Sequence, residues 1–247
     1  MDHSVTPLRV GALVQARLGS TRLPGKVLLP LPLHDSTSVL ARVLARASRA
    51  ASLHTVVVAT TDQPVDDALA AAAQALGGPV FRGDEQDVLR RFAEAAAAHQ
   101  LDVVVRLTAD NPAIDPHYID AAVQAHLAAG ADYTLTTGLP VGTNLEVMGR
   151  TALAAAHAQA RQPDEREHVT PYLRRHPERF RLHTLPLAVP PALAACRLTL
   201  DYPSDYALQH LLYTRLPADF GLTDVAELLA EHPWLRHIND QNEQVRV

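Results

Sequence analysis

The stretch LRVGALVQARLGSTRLPGK, at residues 8–26, decides how the rest of the chain is interpreted. Its first eight residues are mostly apolar, and the next eleven carry two glycines and three basic side chains. The apolar part predicts a buried strand, and the glycine-rich part predicts a loop at the carboxyl end of that strand. Because open α/β sheets bind ligands beyond the carboxyl ends of their strands, the stretch predicts an anion-binding site there.

Short β-branched runs alternate with alanine- and leucine-rich segments of helical period through the first half of the chain. Two of these runs, TVVVAT at 55–60 and DVVVRLT at 102–108, lack polar alternation, which predicts strands buried on both faces. We predict strands at residues 8–15, 55–60, 79–82, 102–108 and 132–136, and helices at 39–50, 65–76, 87–99 and 116–129. This order predicts an α/β protein with right-handed βαβ crossovers and a mostly parallel, doubly wound sheet.

The pattern is looser from about residue 138 onward. We predict strands at 143–148, 181–187 and 197–200, and helices at 151–160, 165–175, after residue 201 and at 224–232. The first two of these strands are expected to be antiparallel or at an edge of the sheet. No repeat, low-complexity tract or flexible linker interrupts the sequence, so we predict a single domain over residues 1–247.

The composition excludes several classes of protein. The 247 residues are 47% hydrophobic and 20% charged, with a net charge of −5 and no concentrated basic segment, so we predict no nucleic-acid partner. The apolar runs are far too short to span a bilayer, and residues 1–9 lack the apolar core of a signal peptide. The single cysteine, Cys196, cannot form an internal disulfide. These features predict a cytoplasmic protein without a membrane partner.

The loop after the first strand has the composition of a triphosphate site. Arg17, Arg22 and Lys26 can neutralise phosphate charge, while Gly19 lets the backbone approach an anion and Ser20 offers a hydroxyl. The loop lacks the Gly-Lys-Ser/Thr pattern of a P-loop, which argues against that class of ATPase. The alternative interpretation is a solvated basic loop without a ligand.

Carboxylates follow two other predicted strands. Asp110 comes directly after a buried strand, where it is placed to bind Mg²⁺, and Asp201 ends a later strand and could share that ion. Asp115 is better interpreted as a helix N-cap, because Pro116 then occupies the first turn. Asp205 lies at the start of a helix, where the helix dipole favours a negative charge.

Other catalytic arrangements are not evident. The 13 histidines show no spacing typical of a zinc site, and there is no G-x-S-x-G motif. Cys196 has no recognisable partner for nucleophilic catalysis. Cations together with one or two carboxylates and Mg²⁺ favour phosphoryl or nucleotidyl transfer.

Several motifs, taken in order, resemble those of a known family. They are QARLGSTRLPGK at 15–26, VATT at 58–61, FRGDEQDVLRRF at 81–92, RLTADNPAIDP at 106–116, EREHVTPYL at 165–173 and LTLDYPSDY at 198–206. Together they are similar to the CMP-sugar synthetase and acylneuraminate cytidylyltransferase family, and within it to the spore-coat polysaccharide biosynthesis branch. The resemblance covers residues from about 9 to 232.

The resemblance implies a three-layer α/β/α, Rossmann-like fold of the nucleotide-diphospho-sugar transferase type and a homodimer. It implies Mg²⁺-dependent transfer of CMP from CTP to a sugar, with release of pyrophosphate. The implied phosphate-binding residues are Arg17, Gly19, Ser20, Arg22 and Lys26, and the implied Mg²⁺ ligands are Asp110 and Asp201. Of these, Arg17, Lys26 and Asp110 are the catalytic candidates.

The remaining implied contacts are those of the nucleoside and the sugar. The backbone of residues 13–16, including Ala16, together with Thr108 and Ala109, is expected to face the base and ribose. Arg166, Glu167, His168 and Tyr172 are expected to face the sugar.

One stretch departs from the family pattern. Relatives often carry Asp-Gly-x-Asp-x-Glu where this chain has VGTNLE at 141–146, so a valine and Asn144 replace two carboxylates while Glu146 is kept. Asn144 and Glu146 are still counted as substrate-binding candidates. The departure predicts either a changed sugar or a loss of activity.

Two further hypotheses therefore stand beside the cytidylyltransferase. One is a glycosyltransferase of the same fold, which would normally need an Asp-x-Asp motif that Asp110-Asn111-Pro112 does not supply. The other is a nucleotide-binding relative without catalysis.

Overall fold

Seven strands form one sheet in the computed structural model, which describes residues 7–242. They are β1 (Val10–Gln15), β2 (Thr55–Thr61), β3 (Val80–Gly83), β4 (Val103–Thr108), β5 (Tyr133–Thr137), β6 (Glu146–Gly149) and β7 (Leu182–Pro186). Their order across the sheet is β3-β2-β1-β4-β6-β5-β7. Residues 1–6 and 243–247, at the two ends of the predicted domain, lie outside the described residues.

The sheet is mostly parallel, as predicted. β1 pairs in parallel with β2 and β4, β2 with β3, and β5 with β7, whereas β6 runs antiparallel to both β4 and β5. The strands predicted at 143–148 and 181–187 are expected to be antiparallel or at an edge, and β6 confirms this because it is antiparallel to both neighbours. β7 forms an edge of the sheet, and its pairing with β5 is parallel.

Helices cover both faces of this sheet. They are α1 (Val39–Ala47), α2 (Asp67–Ala75), α3 (Val88–Ala98), α4 (Pro116–Ala129), α5 (Arg150–Gln159), α6 (Pro163–His168), α7 (Pro171–Arg175), α8 (Pro191–Ala194), α9 (Pro203–Arg215) and α10 (Leu222–Glu231). Within residues 7–242, no helix has the length and apolarity that crossing a membrane requires.

Side chains alternate between the two faces of β1. Val10, Ala12 and Val14 pack into a cluster with α1, α2 and α4, whereas Leu13 packs with α3 and α5 on the other face. Burial on both faces explains why the central strands show no polar alternation. A third cluster packs α8, α9 and α10 against loop residues such as Ala113 and Leu139. The predicted three-layer arrangement is confirmed.

Side-chain caps fix three of the helix starts. Ser38 accepts a hydrogen bond from the backbone N–H of Ala41, and Asp87 accepts one from Arg90. Asp115 accepts one from the N–H of His117, so its predicted role as the N-cap of α4 is confirmed.

Two predicted elements are wrong. The expected strand at 197–200 makes only an isolated bridge, because Leu198 N–H bonds to Val141 and Leu200 N–H bonds to Asp110, which belong to different loops. The expected helix at 165–175 is two short helices. Val169 has a positive φ of 71°, which ends the first helix, and Pro171 then occupies the first turn of the second helix.

A hairpin loop at residues 138–145 joins β5 to β6 and packs tightly on its neighbours. Gly138 has φ +91°, and a Cβ built there would lie 2.1 Å from the carbonyl oxygen of Leu187. Gly142 has φ +96°, and its Cβ would lie 2.6 Å from the backbone nitrogen of Thr199. Both positions therefore require glycine, and the loop supports the segment that carries Asp201.

We expect Gly138→Ala to destabilise the protein by more than about 2 kcal/mol, because the new methyl group meets backbone in a left-handed conformation. Gly149→Ala is the matched control, since Gly149 has φ −70° and open space around its Cβ position. Its effect should stay within about 0.5 kcal/mol. Urea unfolding of both variants measures the difference, and equal stabilities would show that the loop adapts to the substitution.

Candidate active site

The carboxyl ends of β1 and β4 lie side by side at one rim of the sheet. Gln15 is the register partner of Thr108, and Ala109 N–H continues the pairing to the carbonyl of Gln15 at 2.9 Å. The basic loop at residues 16–26 and the loop that carries Asp110 therefore begin next to each other. The parallel order of the strands predicts this juxtaposition.

The loop at 16–26 is folded back on itself. Ser20 N–H bonds to the carbonyl of Leu18 at 2.8 Å, and the Ser20 hydroxyl accepts from the backbone N–H of Leu23 at 3.4 Å. Gly25, at φ 66°, then starts a 3₁₀ turn over Lys26–Leu28. This turn directs Lys26 inward, and the residue is only 8% exposed.

The ammonium group of Lys26 joins two carboxylates. Lys26 Nζ lies 2.7 Å from Asp110 Oδ2 and 2.9 Å from Asp201 Oδ1. The three residues belong to three distant parts of the sequence, and the side chains of Asp110 and Asp201 are 25% and 13% exposed. The structure therefore brings together the two residues that the sequence predicts as metal ligands.

Asp201 also contacts two arginines. Arg22 reaches Asp201 Oδ1 at 3.0 Å and Arg197 reaches Asp201 Oδ2 at 2.7 Å. Burial opposes the ionisation of Asp201, but Lys26 and both arginines outweigh it and hold the pKa of this carboxyl below its ordinary value. Asp201 is therefore a carboxylate at neutral pH.

The charge of Lys26 is stabilised in the same way. Burial alone would lower its pKa, but the neighbouring carboxylates of Asp110 and Asp201 outweigh burial and raise the pKa of Lys26. Lys26 is therefore an ammonium ion at neutral pH.

Asp205 supports this cluster from below. Its side chain is completely buried and accepts from the backbone N–H groups of Asp201 and Tyr202 at 2.9 and 3.0 Å. It also accepts from Arg197 Nε at 3.0 Å. The structural role that the sequence favours for Asp205, a carboxylate at the start of α9, is confirmed.

Thr108 and Asn111 orient Asp110. The Thr108 hydroxyl donates to Asp110 Oδ1 at 2.6 Å and accepts from Asn111 Nδ2 at 2.7 Å. Asp110 Oδ1 and Oδ2 thus each have a fixed donor within the chain, which holds the carboxylate in one orientation.

Three clefts meet at this rim, and Gln15 and Arg17 line all of them. The first cleft, of about 280 Å³, lies over the basic loop, and we call it the phosphate cleft after the role that the sequence predicts for that loop. The acidic-loop cleft, of about 610 Å³, extends toward residues 84–87, α3 and α6. The hairpin cleft, of about 360 Å³, extends toward Gly142, His168 and Thr199.

The phosphate cleft contains most of the predicted site. Its lining includes Ala16, Arg17, Gly19, Ser20, Arg22, Lys26, Thr108, Ala109, Asp110 and Asp201. Leu13, at the start of the backbone segment expected to face the nucleoside, is instead fully buried in the core. Only the end of that segment reaches the clefts.

Two guanidinium groups beside these clefts have no carboxylate within ion-pair distance among the described residues, those of Arg17 and Arg91. Arg91 is 1% exposed, and its guanidinium donates a hydrogen bond to the backbone carbonyl of Asp84. Burial, followed by the charge of Arg17, lowers the pKa of Arg91. Of these two, Arg17 lines both the phosphate and the acidic-loop clefts, so its guanidinium is the one placed to meet an anionic ligand there.

Four predicted substrate contacts have hydrogen-bond partners within the chain. Tyr172 is 6% exposed in the core, and its hydroxyl contacts Gln159 and Arg179. Arg166 lines the acidic-loop cleft but is held by Asp87 at 3.1 Å. A buried tyrosine hydroxyl needs a hydrogen-bond partner, and an arginine pairs readily with a nearby carboxylate. Sequence spacing does not reveal which partner lies within reach.

Asn144 and Glu146 are the other two. Asn144 Nδ2 donates to the carbonyl of Leu139 at 2.9 Å, so its amide closes the hairpin loop. Glu146 accepts from Arg106 at 2.6 Å and from the hydroxyls of Tyr133 and Thr170, both at 2.6 Å. Neither residue lines any of the three clefts, whereas Glu167 and His168 do line the hairpin cleft.

Gln15 connects the partly buried pair of Arg106 and Glu146 to the rim of the sheet. Arg106 donates to Gln15 Oε1 at 3.3 Å while its other terminal nitrogen holds Glu146. The amide oxygen of Gln15 is thereby engaged, which leaves its N–H groups for the clefts.

Asp66 is a functional residue that sequence reasoning missed. It is 2% exposed in the 3₁₀ turn after β2, where its Oδ1 accepts from the N–H of Leu18 at 2.7 Å and its Oδ2 accepts from the Thr61 hydroxyl. It therefore anchors the start of the basic loop. The one available signal was a carboxylate close behind a buried strand at the predicted rim.

The donor set fits a hard divalent cation whose shell is completed by a substrate. Within residues 7–242 there is no group of three or more His, Cys, Asp or Glu side chains that could hold a metal ion. Asp110 and Asp201 instead offer a pair of oxygen ligands within reach of one ammonium group. Mg²⁺ commonly uses one or two carboxylates together with substrate phosphates and water.

A mostly parallel α/β sheet with a basic loop after β1 and paired carboxylates beside it defines a nucleotidyltransferase. The chain belongs to the cytidylyltransferase family, whose sequence profile matches residues 11–213. The family resemblance of the sequence motifs is thereby confirmed, and the glycosyltransferase alternative is set aside.

Individual relatives agree with this assignment. The spore coat polysaccharide biosynthesis protein SpsF of Bacillus subtilis (strain 168) is 37% identical over 225 residues, which cover 90% of this chain and 94% of that protein. A cytidylyltransferase structure from Leptospira borgpetersenii serovar Hardjo-bovis superposes with a TM-score of 0.86 at 31% identity, covering 98% of this chain and all of the other. The structure of CMP:2-keto-3-deoxy-manno-octonic acid synthetase complexed with CTP shares the fold, with a TM-score of 0.63 at 20% identity over 84% of this chain and all of the other.

We expect Asp66→Ala to weaken triphosphate binding about tenfold, because the basic loop loses a buried hydrogen bond to a charged acceptor. Asp66→Asn keeps an oxygen for Leu18 N–H and should recover most of the affinity. Calorimetric titration with CTP and Mg²⁺ measures the change. Equal affinity in the wild type and the alanine variant would show that the loop is held by other contacts.

Glu146→Gln should cost roughly 2 kcal/mol at neutral pH, because the partly buried guanidinium of Arg106 loses its charged partner. Arg106 and the hydroxyls outweigh burial and lower the pKa of Glu146, so its contribution is present at neutral pH and is lost as pH falls through that lowered value. The variant should therefore lose less stability than the wild type below about pH 4.

The matched control is Glu94→Gln, which breaks an exposed pair with Arg90 of similar length, 2.7 Å against 2.6 Å. Its cost should be below about 1 kcal/mol. Urea unfolding between neutral and acidic pH measures both variants, and a parallel acid response of Glu146→Gln and the wild type contradicts the assignment.

Proposed function

We propose that this protein is a Mg²⁺-dependent sugar cytidylyltransferase, which transfers CMP from CTP to an acidic sugar and releases pyrophosphate. The observation that carries the proposal is the pairing of Asp110 and Asp201 across Lys26, beside a loop that also supplies Arg17 and Arg22. Membership of the cytidylyltransferase family, and the similarity to SpsF and to a CMP:2-keto-3-deoxy-manno-octonic acid synthetase, support the choice of nucleotide and of acceptor class.

The chain's own residues account for the binding steps. Arg17, Arg22 and Lys26 would neutralise the triphosphate, and the Ser20 hydroxyl and the backbone at Gly19 would complete its cradle. Asp110 and Asp201 would hold Mg²⁺, which supplies charge neutralisation at the phosphates. The sugar hydroxyl would attack the α-phosphorus in line, and the bond to the leaving pyrophosphate would break.

The two side clefts suit the two ends of the product. All three clefts adjoin at Gln15 and Arg17, so a nucleoside in one side cleft and a sugar in the other would meet near Arg17 at the α-phosphate. Arg17 lines all three clefts and has no carboxylate within ion-pair distance among residues 7–242, so its guanidinium could bind a carboxylate of the acceptor. Glu167 and His168 remain candidate sugar contacts in the hairpin cleft.

The replacement of two carboxylates in the VGTNLE stretch is compatible with activity. Asn144 bonds the backbone of its own loop, and Val141 pairs through its backbone with Cys196 and Leu198. The carboxylates that would hold the metal come from other segments. We propose that this departure affects which sugar is accepted.

We further propose that the protein acts in the cytoplasm as a homodimer of single-domain subunits. The buried, unpaired Cys196 suits a reducing compartment, and exposed apolar side chains such as Trp234, at 57%, offer surface for a second copy. Light scattering of the purified protein gives the oligomeric state directly.

The proposed nucleotide is tested by thermal unfolding with Mg²⁺ and each of CTP, UTP, ATP, GTP and UDP-sugars. A ligand that binds only the native state raises the melting temperature. Selective stabilisation by CTP is expected and would be followed by a pyrophosphate-release screen of acidic sugars. Stabilisation by a different nucleotide would overturn the proposal, and CTP binding without pyrophosphate release for any sugar would favour a non-catalytic relative.

Asp110→Asn should lower pyrophosphate release about 100-fold or more, because it removes a metal-binding charge without changing volume. Asp219→Asn makes the same change at a side chain that is 71% exposed and lines none of the clefts, and it should leave the rate unchanged. Melting temperatures of both variants check the fold. Full activity of Asp110→Asn would exclude this residue as the metal ligand.

A further inference from the structure

The position between Asp110 and Asp201 is taken by a cation of the chain itself. Lys26 Nζ is within 2.9 Å of an oxygen of each carboxylate, and the residue is 8% exposed. A divalent ion that bridges the same two oxygens must occupy nearly the same volume, because metal–oxygen bonds are shorter than these hydrogen bonds. The ammonium group and a bridging metal ion therefore exclude each other.

The charges around this position are balanced without a metal ion. Three cationic side chains, Arg22, Lys26 and Arg197, contact Asp201. Asp110 pairs with Lys26, and the buried Asp205 pairs with Arg197. Three cations thus face three carboxylates, and a bare divalent ion would add two positive charges to a neutral, partly buried cluster.

A triphosphate changes this balance. It brings negative charge to the phosphate cleft, whose lining includes Lys26 along with Arg17 and Arg22. The lysine side chain has a flexible four-carbon stem and a point charge, so its ammonium group can move from the carboxylates to a phosphate oxygen. That movement would free both carboxylates while keeping the charge of Lys26 paired.

Resting on the proposed function, we infer that Lys26 holds the metal position until the nucleotide arrives. The divalent cation then binds together with the triphosphate and not before it. Lys26 thus has two successive partners, the carboxylates in the free protein and the phosphates in the complex. Binding of the metal ion and of the nucleotide is positively coupled, because each favours the same displaced position of the lysine.

The inference is tested with Mn²⁺ alone, followed by electron paramagnetic resonance of the free ion. Wild-type protein should bind Mn²⁺ weakly. Lys26→Met, which keeps an unbranched stem without the charge, should bind it at least about tenfold more tightly, because two neighbouring carboxylates lose their common cation. Lys26→Gln is a second neutral variant in case the methionine variant is unstable.

Two controls separate displacement from a general change of charge. Lys26→Arg keeps the positive charge and should bind Mn²⁺ as weakly as the wild type. Arg22→Met removes a cation that contacts Asp201 but not Asp110, at a side chain that is 37% exposed, so its gain should be much smaller. The double variant Lys26→Met/Asp201→Asn should lose the gain and so locate the bound ion.

Equal Mn²⁺ affinity in the wild type and both neutral Lys26 variants would overturn the inference. An equal gain in Arg22→Met would also overturn it, since the effect would then be one of net charge. A separate titration of the wild type with CTP and Mn²⁺ tests the proposed function. Failure of that titration alongside a gain in Lys26→Met rejects the function while leaving the role of Lys26 supported.

Discussion

The ammonium group of Lys26, shared by Asp110 and Asp201, ties together three segments that the sheet alone would leave separate. The basic loop follows β1 and the Asp110 loop follows β4, so the parallel sheet already places these two side by side. The segment that carries Asp201 belongs to no strand. It is held by the hydrogen bond from Leu200 N–H to the carbonyl of Asp110, at 2.8 Å, and by the buried carboxylate of Asp205 beneath it.

This arrangement explains why the residues that support the cluster of Lys26, Asp110 and Asp201 are polar and largely buried. Asp66 fixes the start of the basic loop, Thr108 fixes Asp110, and Arg197 with Asp205 fixes Asp201. Each supporting group has its own hydrogen-bond partners, so Asp110, Asp201 and the start of the basic loop are held in place before a ligand binds. Such preorganisation suits phosphoryl chemistry, in which positioning and charge neutralisation provide most of the rate enhancement.

The hairpin loop and the partly buried pair of Glu146 and Arg106 show that residues of a family motif can stabilise the fold without lining a cleft. Glu146 is retained in the sequence, yet its carboxylate is enclosed by Arg106, Tyr133 and Thr170. Through Arg106 it orients Gln15, which lines all three clefts. Its influence on the site is therefore indirect, through the position of a neighbouring amide.

The sequence by itself determined the α/β class, the central parallel strands and the basic loop after β1, because period, glycine content and local charge are properties of neighbouring residues. It also indicated the cap at Asp115, which depends on contacts within one turn. Tertiary structure decided the rest. Whether Tyr172 faces a ligand or the core, and which cation stands between Asp110 and Asp201, depends on packing between segments far apart in the chain, and local patterns carry no record of those distances.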